Sequence, residues 1–239
     1  MGMDMIELWS GTGTRAIIDP IGGWILNLSD EYGDVLYPRR TFTALDGTKK
    51  QRGGCHVCLP NFGPGGESGL VQHGFGRTEI WQIASREQMQ ATLELPTGQG
   101  EYTALSSRMT ISIESRAMHL RLEFENTGTD TLRVAPGFHP YFSLTDDESV
   151  TVNSEPYQLD ELAGTEFIDG TTMQLVTSHR TLTLDSDDLT TWALWTDQLG
   201  PYVCLEPTFR GNAFLENPQD DELLPAGEVR VYTATLQWN

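Results

Sequence analysis

Lysine is almost missing from this 239-residue chain: Lys49 and Lys50 are the only two, and arginine brings the cations to 15 against 34 acidic residues. The resulting formal charge of -19 repels phosphate-rich polymers and anionic bilayers, which excludes nucleic acid and membrane surfaces as general partners. Cysteine is also scarce. Cys55, Cys58 and Cys204 are an odd set that does not suit a disulfide framework, so a reducing cytoplasm is the expected location. No apolar run approaches the roughly 18 residues of a membrane span. The start, Met-Gly-Met-Asp-Met-Ile-Glu, lacks the basic and apolar regions of a signal peptide, and Ile6 stands where a myristoylation site wants Ser or Thr. Finally, no stretch of ten or more residues carries a capped helical stripe.

What the chain does have is period-2 patterning. Met109, Ile111 and Ile113 alternate with polar residues, as do Met118, Leu120, Leu122 and Phe124, with Ser115 and Arg116 between the runs. That pattern predicts an antiparallel hairpin with one buried face. Short strand-like pieces separated by Gly and Pro turns fill residues 5–38, 79–95 and 146–205, and Val229 to Trp238 closes the chain. Many short strands without a linker predict an all-β, single-domain sandwich over residues 1–239.

Against this background residues 52–77 stand out. They run from Arg52 to Arg77, carry eight glycines and hold His56 and His73. Such density predicts a long shaped loop, and the interleaved Val57, Leu59, Phe62, Leu70, Val71 and Phe75 predict that it is ordered. Directly before it, Arg39, Arg40, Lys49, Lys50 and Arg52 place five of the 15 cations within fourteen residues. This is a candidate small-anion site, or simply a solvated basic turn.

The Cys55-His56-Val57-Cys58 string lacks the second ligand pair of a structural zinc site and the following helix of a redox dithiol. It is read as coincidence, and no metal or cofactor is expected. Gly63 to Gly69 lacks the Gly-Lys-Ser/Thr ending of a phosphate loop. His73 and His139 each lie among Gly, Pro and aromatic residues. A carboxylate ending the apolar strand Val203-Cys204-Leu205 is costly unless it is paired or faces a cleft. Two histidines and an acid form a candidate acid–base set without a nucleophile.

The strings Arg52-Gly53-Gly54, Pro60-Asn61-Phe62-Gly63-Pro64 and Gln72-His73-Gly74-Phe75-Gly76-Arg77 resemble the RGG…P.FGP…QHGFAR segment of the aldose 1-epimerase family. The branch they resemble most is that of the hexose-6-phosphate 1-epimerases. Phe138-His139-Pro140-Tyr141-Phe142, Tyr202 to Pro207 and Leu224 to Glu228 are similar to three further family motifs, in the family's order. The resemblance implies a galactose mutarotase-like β-supersandwich and a cofactor-free ring opening of an aldohexose. By analogy Glu206 is the general base on the anomeric hydroxyl, His139 the general acid on the ring oxygen, and His73 an assisting group. Arg52 and Arg77 match phosphate-binding positions, and Gln72 and Asp169 match sugar-binding ones, although Asp169 before Gly170 also reads as a turn. Cys55-His56 in place of Ile-Pro, Asn61 in place of an aromatic residue and a short chain depart from the pattern. An epimerase of unphosphorylated aldoses and a non-catalytic sugar-binding domain are the alternatives; a monomer or homodimer is expected.

Overall fold

The computed structural model describes residues 4–44, 46–162 and 164–239. The Met1-Gly2 start therefore lies outside the described residues. Among them there is no α-helix, only strands and short 3-10 turns. No helix is long and apolar enough to cross a membrane.

Two nine-stranded antiparallel sheets make the body of the molecule. The first runs Ile6–Trp9, Arg15–Asp19, Trp24–Asp30, Gly33–Leu36, Gly137–Ser143, Tyr202–Thr208, Thr191–Trp195, Glu166–Asp169; Cys55–Cys58 pairs with both Trp24–Asp30 and Gly137–Ser143. The second runs Glu155–Gln158, Ser149–Val152, Thr172–Val176, Thr181–Asp185, Val229–Trp238, Ala117–Asn126, Leu105–Glu114, Gln90–Leu95, Gln82–Arg86. Two small two-stranded sheets, the hairpin Arg40–Thr43 with Lys49–Arg52 and the long-range pair Leu132–Arg133 with Leu223–Leu224, flank them.

One continuous apolar core joins the sheets. Ile6, Leu8, Ile18 and Phe142 of the first sheet share it with Leu93, Ile111, Leu122 and Leu236 of the second. The side-chain period of two in a strand supplies this inward row, and each fully buried large aliphatic or aromatic contributes about 1.5–3 kcal/mol. The hairpin expected from alternation forms with Met109 opposite Leu122 and Ile111 opposite Leu120, turning at Ser115 and Arg116.

The reading of residues 52–77 as one loop needs correction at its start. Cys55–Cys58 is an interior strand, buried at all four positions. Its Cys55 and Val57 face the common core, while Cys58 packs with Phe62 and Ala193 on the other face. A strand covered on both faces has no polar alternation to betray it. Opposite parity also sends the two cysteines to opposite faces, and all three cysteines are free. From Leu59 the chain is irregular as expected, beginning with a cis Leu59–Pro60 bond and including a single 3-10 turn at Gly66–Ser68. Gly74 closes this loop against the sheet at φ 63°, where an added Cβ would stand 1.9 Å from the Leu59 carbonyl oxygen.

Candidate active site

Strand register builds the site on the outer face of the first sheet. His56 pairs with His139, and Ala193 pairs with Glu206. Between the registered pairs Gly137–Thr208 and Tyr141–Cys204, His139 falls opposite Glu206. His56, His139 and Glu206 thus form one row across three adjacent strands. Tyr141 and Cys204, two residues further along their strands, form the next row on the same face.

His139 and Glu206 of the first row floor a cleft of about 220 Å³ whose walls include Arg52, Phe62, Gln72, His73, Arg77, Tyr141, Trp195 and Asn212. His139 Nε2 lies 3.4 Å from Glu206 Oε2. Both side chains are nearly inaccessible, at 6% and 3% exposure, and Glu206 Oε2 has no hydrogen-bond partner within the protein. The His139 ring stacks on Tyr141, with centroids 4.7 Å apart and planes 11° from parallel, and meets Trp195 edge-on. These contacts fix the imidazole plane beside the carboxylate.

His73 enters from the irregular loop with a left-handed backbone, φ 63°, which aims its ring into the cleft 5.0 Å from the His139 ring. The Gly63 amide donates to His73 Nδ1 at 3.3 Å, and Cys58 Sγ lies 3.4 Å from the same nitrogen. Nδ1 is therefore an acceptor, which leaves the proton on Nε2, and the Gln72 side-chain amide 3.3 Å away must turn its oxygen toward the ring to accept it.

Burial governs the proton inventory. It drives the Glu206 carboxyl well above its ordinary range. It drives His139 well below the usual imidazole range, helped by His56, His73, Arg77 and Arg52, and lowers His73 to about 3, with Arg77 and Arg52 adding to the effect. His56 is likewise depressed by burial and then by His73 and Arg77. The unliganded cleft thus prefers neutral imidazoles and a protonated carboxyl, because a desolvated charge finds no compensation there.

The expected residues do not all converge. Glu206, His139, His73, Gln72, Arg52 and Arg77 line one cleft. Arg52 donates through Nε and Nη2 to Asp197, both at 2.8 Å, whereas Arg77 gives Nη2 to the Gln72 carbonyl at 2.9 Å. Asp169 is exposed, accepts from Thr191 Oγ1, and is not among the cleft residues. Of the basic cluster only Arg52 reaches the cleft; Arg39 lies over Trp24 and Arg40 over Tyr37. A larger open groove of about 620 Å³ beside Arg116 and Arg180 has no such acid–base pair, and both arginines are already paired with Glu31 and Asp30. Sequence reading missed Tyr141, Trp195 and His56 as neighbours of the pair. Tyr141 was reachable, standing two residues from His139 on one strand, but Trp195 and His56 need the register.

Two antiparallel sheets with this cleft on the outer face of one define a galactose mutarotase-like β-sandwich. Similar solved structures include a galactose mutarotase-like protein from Lactobacillus casei, with TM-score 0.79 and 16% identity over 99% of this chain and 100% of that one. A galactose mutarotase related enzyme from Lactobacillus acidophilus superposes with TM-score 0.79 at 14% identity, covering 99% and 97% of the two chains. The Slr1438 protein from Synechocystis does so with TM-score 0.78 at 18% identity, covering 100% and 98%. No curated protein sequence matches the chain. Residues 4–198 match the aldose 1-epimerase family, and the chain belongs to that family. The matched stretch includes His73 and His139 and ends before Glu206.

Proposed function

We propose that the protein interconverts the α and β anomers of an aldohexose by acid–base ring opening, with Glu206 and His139 as the proton-exchanging pair. Membership of the aldose 1-epimerase family supports an isomerase acting on a small-molecule sugar. The observation that carries the chemistry is the buried 3.4 Å His139–Glu206 contact with its unpartnered carboxylate oxygen. A cleft of about 220 Å³ is below the roughly 300–1,000 Å³ of drug-sized sites and suits one sugar ring.

Ring opening removes the anomeric hydroxyl proton to Glu206 and delivers a proton from His139 to the ring oxygen. The pair passes from ionic to neutral in that step. Neutral forms are what burial favours, so opening is assisted by relief of an ion pair that the sugar's own hydroxyls must sustain beforehand. Closure on the other face of the aldehyde reverses the two transfers. Each is worth about 10²–10⁴ in rate. His73, with its proton on Nε2, is placed to hold the sugar at the same end of the cleft.

For a hexose 6-phosphate, Arg77 is the guanidinium available for the phosphate. The Arg52–Asp197 pair favours a second reading, an epimerase of unphosphorylated aldoses, because Arg52 already spends two donors on a carboxylate. NMR exchange between the anomeric protons separates these readings. Acceleration confined to glucose 6-phosphate supports the phosphate reading, while acceleration of free glucose or galactose supports the second. Exchange at the buffer rate for every aldose offered overturns the enzyme reading in favour of sugar binding alone.

A further inference from the structure

Cys204 has no part in the chemistry proposed above, yet it stands beside the acid–base pair. It is fully buried on the cleft side of its strand, two residues before Glu206 and opposite Tyr141. One ligand atom each of His139, Cys204 and Glu206 lies within 4.8 Å of the others. In a tetrahedral zinc site, bonds of about 2.0–2.3 Å to N, O and S put neighbouring ligand atoms about 3.5 Å apart. The 3.4 Å between His139 Nε2 and Glu206 Oε2 already meets that spacing, and the sulfur must close at most about 1.3 Å to reach it.

The donors also select the ion. One thiolate, one imidazole and one carboxylate suit a borderline-soft divalent cation of the zinc class, whereas magnesium and calcium want oxygen shells. Glu206 Oε2 is a buried polar atom without a partner in the protein, so a cation would satisfy an unmet acceptor rather than compete for one. Glu206 and His139 line the cleft, which gives an ion its route and leaves its fourth position facing the sugar site. Two negative ligands would balance a divalent charge. The Cys204 thiol and the Glu206 carboxyl would each give a proton to solvent on coordination.

We infer that His139, Cys204 and Glu206 form a binding site for a zinc-class divalent cation that excludes the sugar and so inhibits the enzyme. The inhibition rests on the proposed roles of Glu206 and His139; the binding does not. Cobalt(II) is the probe, since a tetrahedral thiolate site gives visible d–d bands and a near-ultraviolet sulfur-to-cobalt charge-transfer band without turnover. One equivalent should bind the wild-type protein and show both signals. Cys204→Ser should lose the charge-transfer band, Glu206→Gln should weaken binding at least tenfold, and Cys58→Ser should leave the spectrum unchanged. Should Cys204→Ser fold poorly, as judged by circular dichroism, Cys204→Ala serves in its place, and the Cys58→Ser comparison stands independently. In the anomer-exchange assay zinc should raise the apparent KM without lowering kcat, and Cys204→Ser should need at least tenfold more zinc for the same effect. A charge-transfer band that survives removal of Cys204, or no band in the wild type, overturns the site. A full band in a protein without anomerase activity upholds the site and removes only the function it would inhibit.

Discussion

Lowering the pH from 7.5 to 5.5 should destabilise this fold through its buried histidines, and Glu206 should partly oppose the loss. The sign follows from who takes the proton. His56, His73 and His139 are 1%, 8% and 5% exposed, and burial holds all three imidazoles below the ordinary 6.5, His73 at about 3. The unfolded chain therefore gains protons below pH 6.5 that the folded one refuses, and stability present above 6.5 is lost as pH falls toward the folded values. Each histidine that stays neutral at pH 5.5 costs between about 1 and 2 kcal/mol, so the three together cost roughly 4 kcal/mol. Glu206 acts in the opposite sense. Its raised value makes the folded state bind the proton first, so stability rises as pH falls through that raised value toward the ordinary 4.5. Asp30, held at about 2 against burial by Arg180 and Trp238, loses its contribution only below about pH 4 and leaves the window clear. Urea unfolding followed by tryptophan fluorescence at pH 7.5, 6.5 and 5.5 reads these changes. Glu206→Gln should be at least as stable as the wild type at pH 7.5 and should then fall by about 4 kcal/mol, more steeply than the wild type. Parallel curves for the two proteins, or no loss in Glu206→Gln, would refute the buried, uncompensated character assigned to this row.

Other perturbations test the site and its support. Glu206→Gln should slow anomer exchange about 10²–10⁴-fold without loss of fold, measured by NMR beside circular dichroism; near-wild-type rates would remove Glu206 from the chemistry. Arg77→Ala should raise KM for glucose 6-phosphate at least tenfold and leave free sugars unchanged if the phosphate lies there, and equal effects on both would place Arg77 elsewhere. Asp169→Ala should leave kcat and KM within twofold, since its carboxylate is exposed and outside the cleft; a large KM change would bring it into the site. Gly74→Ala should cost more than about 2 kcal/mol, because it combines a left-handed backbone with a Cβ 1.9 Å from Leu59 oxygen, and an unchanged melting temperature would contradict that clash.

The strand-by-strand character of the fold is written locally along the chain. Alternation at 108–125 and the closing run from Val229 are local signals, since a half-buried strand must write its burial with period two. Glu206 after the apolar run Val203-Cys204-Leu205 and His139 among aromatics were legible for a similar reason, although Glu206 stands within the strand Tyr202–Thr208 and does not end it: a costly polar residue in apolar company needs a purpose. Cys55–Cys58 was not legible, because a strand buried on both faces leaves no alternation, and its glycine neighbours pointed to a loop. The meeting of His56, His139 and Glu206 was decided only in the tertiary structure, by hydrogen-bond register between strands far apart in the chain. So was the fate of the arginines. Arg52 found Asp197, and Arg39 and Arg40 found aromatic faces, because an ion or a ring at contact distance outweighs any clustering along the sequence. Local patterning sets which face of a strand is buried; which residues share that face depends on pairing that no single segment encodes.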